Sequence, residues 1–267
     1  TIDDRALQQG DIPSDGKPVF LQADEGIADE LSRAVVGDVP AAIGDRCTPV
    51  ARLLDESDVA AALPPRRRTA HKGDHGHVLV IGGGPGMPGA ARLAGEAALR
   101  AGAGLVTLAV HPDNLGIVAE RPELMCTAAR SARDLAAVLT RATVVAIGPG
   151  LGTDVWGRGQ LEAALGSGLP LIVDADALNL IAERPRASDH WVLTPHPGEA
   201  ARLLGSTGRA VQADRLAAAR ELQARCGGHV VLKGAGSIVQ SPGDLPRICD
   251  RGNPGMAAGG MGDVLTG

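Results

Sequence analysis

The chain has 267 residues, 44% of them hydrophobic and 21% charged, which is the profile of a globular chain with enough apolar side chains for one large domain. The 26 Lys and Arg against 31 Asp and Glu leave a net charge of −5, which argues against a nucleic-acid or anionic-membrane surface. No apolar run reaches the ~18–20 residues of a membrane helix, and the aromatic residues, Phe20, Trp156 and Trp191, are too few for a base-stacking platform.

The opening Thr1-Ile2-Asp3-Asp4-Arg5 has no basic stretch leading into an apolar core, so no signal peptide is read. Cys47, Cys126, Cys226 and Cys249 are widely spaced and form no CxxC pair. That pattern points to a reduced, cytoplasmic protein and away from zinc. Only Lys17, Lys72 and Lys233 are lysines among the 26 basic residues. A lysine that persists where arginine is favoured can be needed for its compact charge and flexible stem.

Residues 1 to about 60 show no sustained period, although Leu53 to Leu63 offers one short helix. Pro64-Pro65-Arg66-Arg67-Arg68 then reads as a linker. His77-Val78-Leu79-Val80-Ile81 is an apolar, β-branched run stopped by Gly82-Gly83-Gly84, the pattern of a buried strand entering a glycine turn. Pro88 opens a helix to Ala101 with Ala90, Leu93, Ala94, Ala97 and Ala98 on one face. Further strands are predicted at Leu105–Val110, Thr143–Ile147, Leu169–Val173, His190–Leu193 and Val230–Leu232. Helices are predicted at Ala132–Leu139, Gln160–Leu165, Glu199–Leu204 and Asp214–Arg225. This alternation predicts an α/β fold, a mostly parallel sheet covered by helices on both faces, with ligands at the carboxyl ends of the strands.

Those strand ends carry the polar and small residues. Gly82 to Ala90 permits close backbone approach at a helix start, either for a ligand or as a tight turn, and its two prolines break the GxGxxG dinucleotide spacing. Gly148-Pro149-Gly150-Leu151-Gly152 follows the strand ending at Ile147. Asp174 and Asp176 could hold a hydrated Mg²⁺ or orient a hydroxyl. Alternatively Asp176 caps a helix beginning at Ala177, and the expectation is that one of the two caps while the other is functional. His196 lies between Pro195 and Pro197 on a stiff backbone suited to a positioned hydrogen-bonding group. Lys233-Gly234-Ala235-Gly236-Ser237 resembles an anion cradle without being a Walker A motif. In the terminal Gly259-Gly260-Met261-Gly262-Asp263, Gly262 frees amides at a helix start, and Asp263 could serve as a general base in phosphoryl transfer or as a cap. The chain is expected to stop about one turn into that helix, inside a functional element.

Taken together, the segments HKG…GHVLVIGG, GPGLG, DADALN, TPHPGE, LKGAG and GNPGMAAGGMGD resemble the ADP/ATP-dependent NAD(P)H-hydrate dehydratases, repair enzymes with a ribokinase-like fold. The likeness runs in order from His71 to the last residue, about three quarters of the chain. It implies restoration of NADH or NADPH from its 6-hydroxylated, hydrated form. ADP or ATP phosphorylates the hydroxyl, and phosphate then leaves as the ring double bond forms. By resemblance, Asp263 is the base; Ala90, Gly150, Gly152 and His196 contact the hydrate together with Asp263. Lys233, Gly234, Ala235, Gly236, Ser237 and Gly262 hold the nucleotide, with Mg²⁺ expected near its phosphates rather than in a protein-built metal site. The family also implies self-association, and continuation of the chain beyond the GGMGD turn. Residues 61–267 are then the dehydratase domain, short at its C-terminus, and residues 1–60 an irregular segment. Gly10-Asp11-Ile12-Pro13-Ser14 faintly resembles a motif of the epimerase domain that precedes many bacterial relatives. Two other readings remain open: a ribokinase-like kinase of a vitamin-precursor alcohol, and a nucleotide-binding protein without turnover.

Overall fold

Each apolar run that the sequence offers as a strand takes its place in one sheet. The computed structural model describes residues 8–10, 19–23 and 47–267. Within them the chain forms β1 (Gln8–Gly10), β2 (Val19–Ala23), β3 (Cys47–Leu53), α1 (Glu56–Ala62), β4 (His77–Ile81), α2 (Pro88–Ala101), β5 (Leu105–Val110), α3 (Leu115–Val118) and β6 (Met125–Ala128). There follow α4 (Ala132–Leu139), β7 (Val144–Ile147), α5 (Val155–Leu165), β8 (Leu171–Val173), α6 (Ala175–Glu183), β9 (Trp191–Leu193) and α7 (Pro197–Leu204). The last elements are α8 (Gly208–Ala213), α9 (Arg215–Cys226), β10 (His229–Leu232), β11 (Ser237–Gln240), β12 (Arg247–Cys249) and α10 (Met261–Thr266).

The strand order is β1-β2-β3-β12-β11-β10-β9-β8-β7-β4-β5-β6. From β6 to β10 all neighbours are parallel. The chain then turns back through antiparallel β11 and β12. Parallel strands need crossovers, and the helices that supply them cover both faces. The pleat sorts β4 accordingly: Leu79 and Ile81 enter the larger core with Leu135, Leu178 and Leu222, while Val80 joins Ala91, Ala94, Ala98 and Leu108 under α2. The small residues of α2 bring its backbone close to the sheet, and Gly102 at φ 118 ends it. Burial of a core leucine such as Leu79 contributes about 1.5–3 kcal/mol.

Two features depart from the sequence expectation. Residues 47–53 are not without regular structure, because β3 pairs in parallel with β12, whereas the short helix expected within Leu53–Leu63 forms as α1, which begins at a capping box of Asp55 and Asp58. The strands β6, β11 and β12 lack the continuous apolar runs that marked the others. Asp11 to Ser14 lie outside the described residues. No helix among the described residues is long and apolar enough to cross a membrane. Because the parallel strands share one direction, the ends of β4, β7, β8, β9 and β10 all open onto one edge.

Candidate active site

At the centre of that edge stands Asp174, the residue after β8, 1% exposed. Lys233 Nζ, from the end of β10, donates to Asp174 Oδ1 at 2.7 Å. Thr266 Oγ1, from α10, donates to Asp174 Oδ2 at 2.6 Å. One buried carboxylate thus receives a charge-assisted bond from each of two distant segments, which is how an ionised group is kept out of water. Ala175, directly after it, is the one non-glycine residue at positive φ among those described, φ 46, and such strain commonly collects at functional sites.

Lys233 also faces Glu199 Oε2 at 3.8 Å. Glu199 caps its own helix by accepting the His196 backbone N–H at 2.7 Å, while His196 Nδ1 accepts the N–H of Gly198 at 2.9 Å. The two prolines around His196 and this reciprocal box fix the start of α7. Half of the imidazole remains exposed, with Nε2 3.4 Å from Glu199 Oε1. Burial pushes the Glu199 carboxyl above its ordinary range, against the opposing pull of the His196 N–H and Lys233.

Asp263 sits in the first turn of α10, half-buried. Burial, and next the negative charge of Asp174, push its pKa up, opposed by Lys233. A carboxylate destabilised this way is a stronger base than a solvated aspartate, as proton abstraction from a hydroxyl requires. Its neighbour Gly262 lies against the same pair: a Cβ there would stand 3.5 Å from Lys233 Nζ and 3.9 Å from Asp174 Oδ2, in ordinary contact. The short helix persists because it packs along α2, with Gly267 against the Ala94 backbone and Gly260 beside Leu93.

The first two glycine clusters lie back to back. Gly83 N–H donates to Pro149 O at 2.9 Å and Gly84 N–H to Gly150 O at 2.6 Å, and a Cβ on Gly82 would fall onto the Pro149 carbonyl. The backbone of Gly82–Gly84 in the first cluster therefore packs against the second loop, as a tight turn does. It brings Ala90 against Gly150, whose added Cβ would stand 3.1 Å from Ala90 Cβ. Asp176 does not cap α6 with its side chain. It accepts the Gly152 N–H at 2.8 Å and braces the second loop. The helix instead starts at Ala175, and Asp174, in the capping position, makes no side-chain cap bond. The expected capping aspartate is thus replaced by a pair that both bridge to other segments.

The Lys233–Ser237 loop is held by Arg215, whose Nη1 donates to Ala235 O at 2.6 Å and whose Nη2 donates to Leu232 O and Lys233 O at 3.2 and 3.3 Å. Ser237 Oγ donates to Gly234 O at 3.2 Å, so its hydroxyl shapes the loop. Among the described residues, no three His, Cys, Asp or Glu side chains converge as a metal site. The structure thus gathers Lys233, Gly262, Asp263 and, through Glu199, His196 into one network, and sets Ala90, Gly150 and Gly152 together on its flank. Sequence reading missed Glu199, Thr266 and Arg215; of these only Glu199 gave a signal, as the acidic member of the box after His196.

This arrangement can be set beside known proteins. The family model described as NAD(P)H-hydrate dehydratase matches residues 78–267, which includes every candidate site residue. The chain belongs to the NAD(P)H-hydrate dehydratase family. A bifunctional NAD(P)H-hydrate repair enzyme of Coxiella burnetii is 49% identical over 243 residues, 91% of this chain and 47% of the relative. The ADP-dependent (S)-NAD(P)H-hydrate dehydratase of Neisseria meningitidis is 40% identical over 212 residues, 76% of this chain and 70% of the relative. Among solved structures, the ADP/ATP-dependent NAD(P)H-hydrate dehydratase of Bacillus subtilis, co-crystallised with ATP/Mg²⁺, superposes with a TM-score of 0.71 at 31% identity, covering 80% of this chain and 78% of that one. A ribokinase-like protein of Enterococcus faecalis gives a TM-score of 0.73 at 30% identity, covering 81% of this chain and 77% of that one. The fold of this dehydratase-family chain is ribokinase-like. It spans about half the length of the bifunctional relative from Coxiella burnetii, 47%.

Proposed function

We propose that this chain removes water from hydrated NADH or NADPH at the expense of a nucleotide. The observation that carries the reading is Asp263, a half-buried carboxylate with a raised pKa beside Lys233 and Gly262 at the carboxyl edge of a parallel sheet. Asp263 takes the proton of the 6-hydroxyl as that oxygen attacks the terminal phosphorus of ADP or ATP, and the bond from phosphorus to the leaving nucleotide breaks. The ring then loses phosphate from the same carbon and a proton from its neighbour, which leaves the double bond. Ala90, Gly150, Gly152 and His196 hold the hydrate, and small residues there leave space for a dinucleotide. Lys233 to Ser237 and Gly262 hold the donor.

Both oxygens of Asp174 are occupied by Lys233 and Thr266, and Asp176 is bound to Gly152. These residues do not form a protein cage for Mg²⁺. They fit an ion carried by the phosphates and water. When bound, it would neutralise charge on the transferred group.

The names of the relatives support ADP as donor, with ATP as the alternative. Residues 61–267 would carry the activity, with residues 1–60 retaining a remnant of an epimerase domain. Action in the cytoplasm and self-association complete the proposal; sedimentation of the purified chain tests the latter. The deciding experiment is recovery of reduced-nicotinamide absorbance from hydrated NADH with ADP and ATP supplied separately, beside Asp263→Ala. Recovery that needs nucleotide and vanishes in the variant supports the reading. A folded chain that restores no absorbance with either nucleotide refutes it.

A further inference from the structure

Arg215 is a cation in a place that disfavours cations. It opens α9, where the helix dipole repels positive charge, and it is 5% exposed. Among the described residues no carboxylate pairs with it. Its partners are the carbonyl oxygens of Ala235, Leu232 and Lys233, and its Nε is buried with no hydrogen-bond partner among the described residues. Burial alone pulls its pKa down. A neutral side chain of similar length would fill the same space without a buried, unneutralised charge.

The surroundings are shaped to admit the guanidinium. Gly234 has φ 150, and a Cβ there would lie 2.7 Å from Arg215 Nη2. In a trans peptide the N–H after each carbonyl points the opposite way. With Lys233 O and Ala235 O turned toward Arg215, the N–H groups of Gly234 and Gly236 point away from it, as a loop must present them to an anion. The carboxylates of Asp174 and Glu199 face the Lys233 ammonium instead.

We propose that Arg215 is a positioning residue for the nucleotide: it braces the Lys233–Ser237 loop from beneath and holds a positive charge there whose counter-ion is the phosphate chain of bound ADP or ATP. This rests on the nucleotide reading of that loop. It makes a separable claim, that Arg215 serves the phosphates and not the nucleoside.

The test measures binding of ADP by calorimetry, and of adenosine by ligand-observed NMR, to the full chain and to Arg215→Met and Arg215→Lys. Arg215→Met should weaken ADP at least about tenfold, equivalent to ~1.4 kcal/mol, and leave adenosine binding within about twofold. Arg215→Lys keeps the charge and should bind ADP within about threefold of the unaltered chain, so a misfolded Met variant does not remove the test. Unchanged ADP affinity in Arg215→Met, parallel loss of ADP and adenosine, or a tenfold loss in Arg215→Lys would each overturn the proposal. Failure of the unaltered chain to bind ADP would overturn the nucleotide reading itself, and that result is distinct from the others.

Discussion

Replacing Thr266 by Val removes a single hydroxyl from a side chain that is 1% exposed and changes its size very little. That hydroxyl donates to Asp174 Oδ2 at 2.6 Å and lies 3.1 Å from the Gly262 carbonyl. A hydrogen bond to a buried charge contributes about 1.5–3 kcal/mol. Its loss leaves one carboxylate oxygen unsatisfied and unties the end of α10 from β8. If the whole loss falls on the placement of Asp263 in the transition state, kcat should drop about 10- to 150-fold. KM for the nucleotide should change little, because the Lys233 loop is braced separately by Arg215. Initial rates of absorbance recovery from hydrated NADH measure both constants, and Thr266→Ser, which restores the hydroxyl, should recover most of kcat. A Val variant with the parent kcat, or a Ser variant as impaired as Val, would refute the idea that this bond positions the base.

Asp263→Asn should lower turnover by about 10²–10⁴ and raise the unfolding midpoint near neutral pH, since it removes a charge that burial and Asp174 both disfavour; a lower midpoint would contradict that electrostatic account. Because Asp263 and Glu199 both have raised values, their protonated forms stabilise the fold fully below the ordinary carboxylate range. That contribution is lost as pH rises through the raised values, so urea midpoints should decline over the interval in which kcat climbs. Coincident low-pH limbs for the parent chain and Asp263→Asn would exclude Asp263 as the titrating base. Gly150→Ala would place a Cβ 2.8 Å from that of Met87 at φ 57, a strain of about 1–2 kcal/mol. It should lower the melting temperature by about 2–8 °C and raise KM for the hydrate with ADP affinity unchanged, as calorimetry and initial rates would show.

The parallel core was legible because its strands are buried on both faces and so read as apolar runs, as in Val78–Ile81 and Leu108–Val110. The antiparallel extension was not, because Ser237–Gln240 and Arg247–Cys249 alternate with polar residues over only three or four positions, and β3 contains Pro49. In the site, the expectation for Lys233, Gly262 and Asp263 came from glycine and charge at strand ends, a local signal. The partners that hold them are non-local. Thr266 is chemically one more helical residue, and Arg215 is one arginine among many until β10 and its loop arrive above it. Asp174 and Asp176 were visible as a pair, yet their division of labour depends on which chain segments come to meet each carboxylate.

The bond from Thr266 to Asp174 spans 92 residues of sequence, and that from Lys233 spans 59. Contacts of such separation repay their loop-closure entropy only after the intervening strands have docked. The charged centre is therefore assembled late, when β8, β10 and α10 have already been brought to one edge. An unpaired Asp174 in an incomplete sheet would oppose premature closure, so the nucleotide binding proposed above would report completion of the fold. During synthesis or refolding, nucleotide added early should select finished molecules without accelerating the steps that build them.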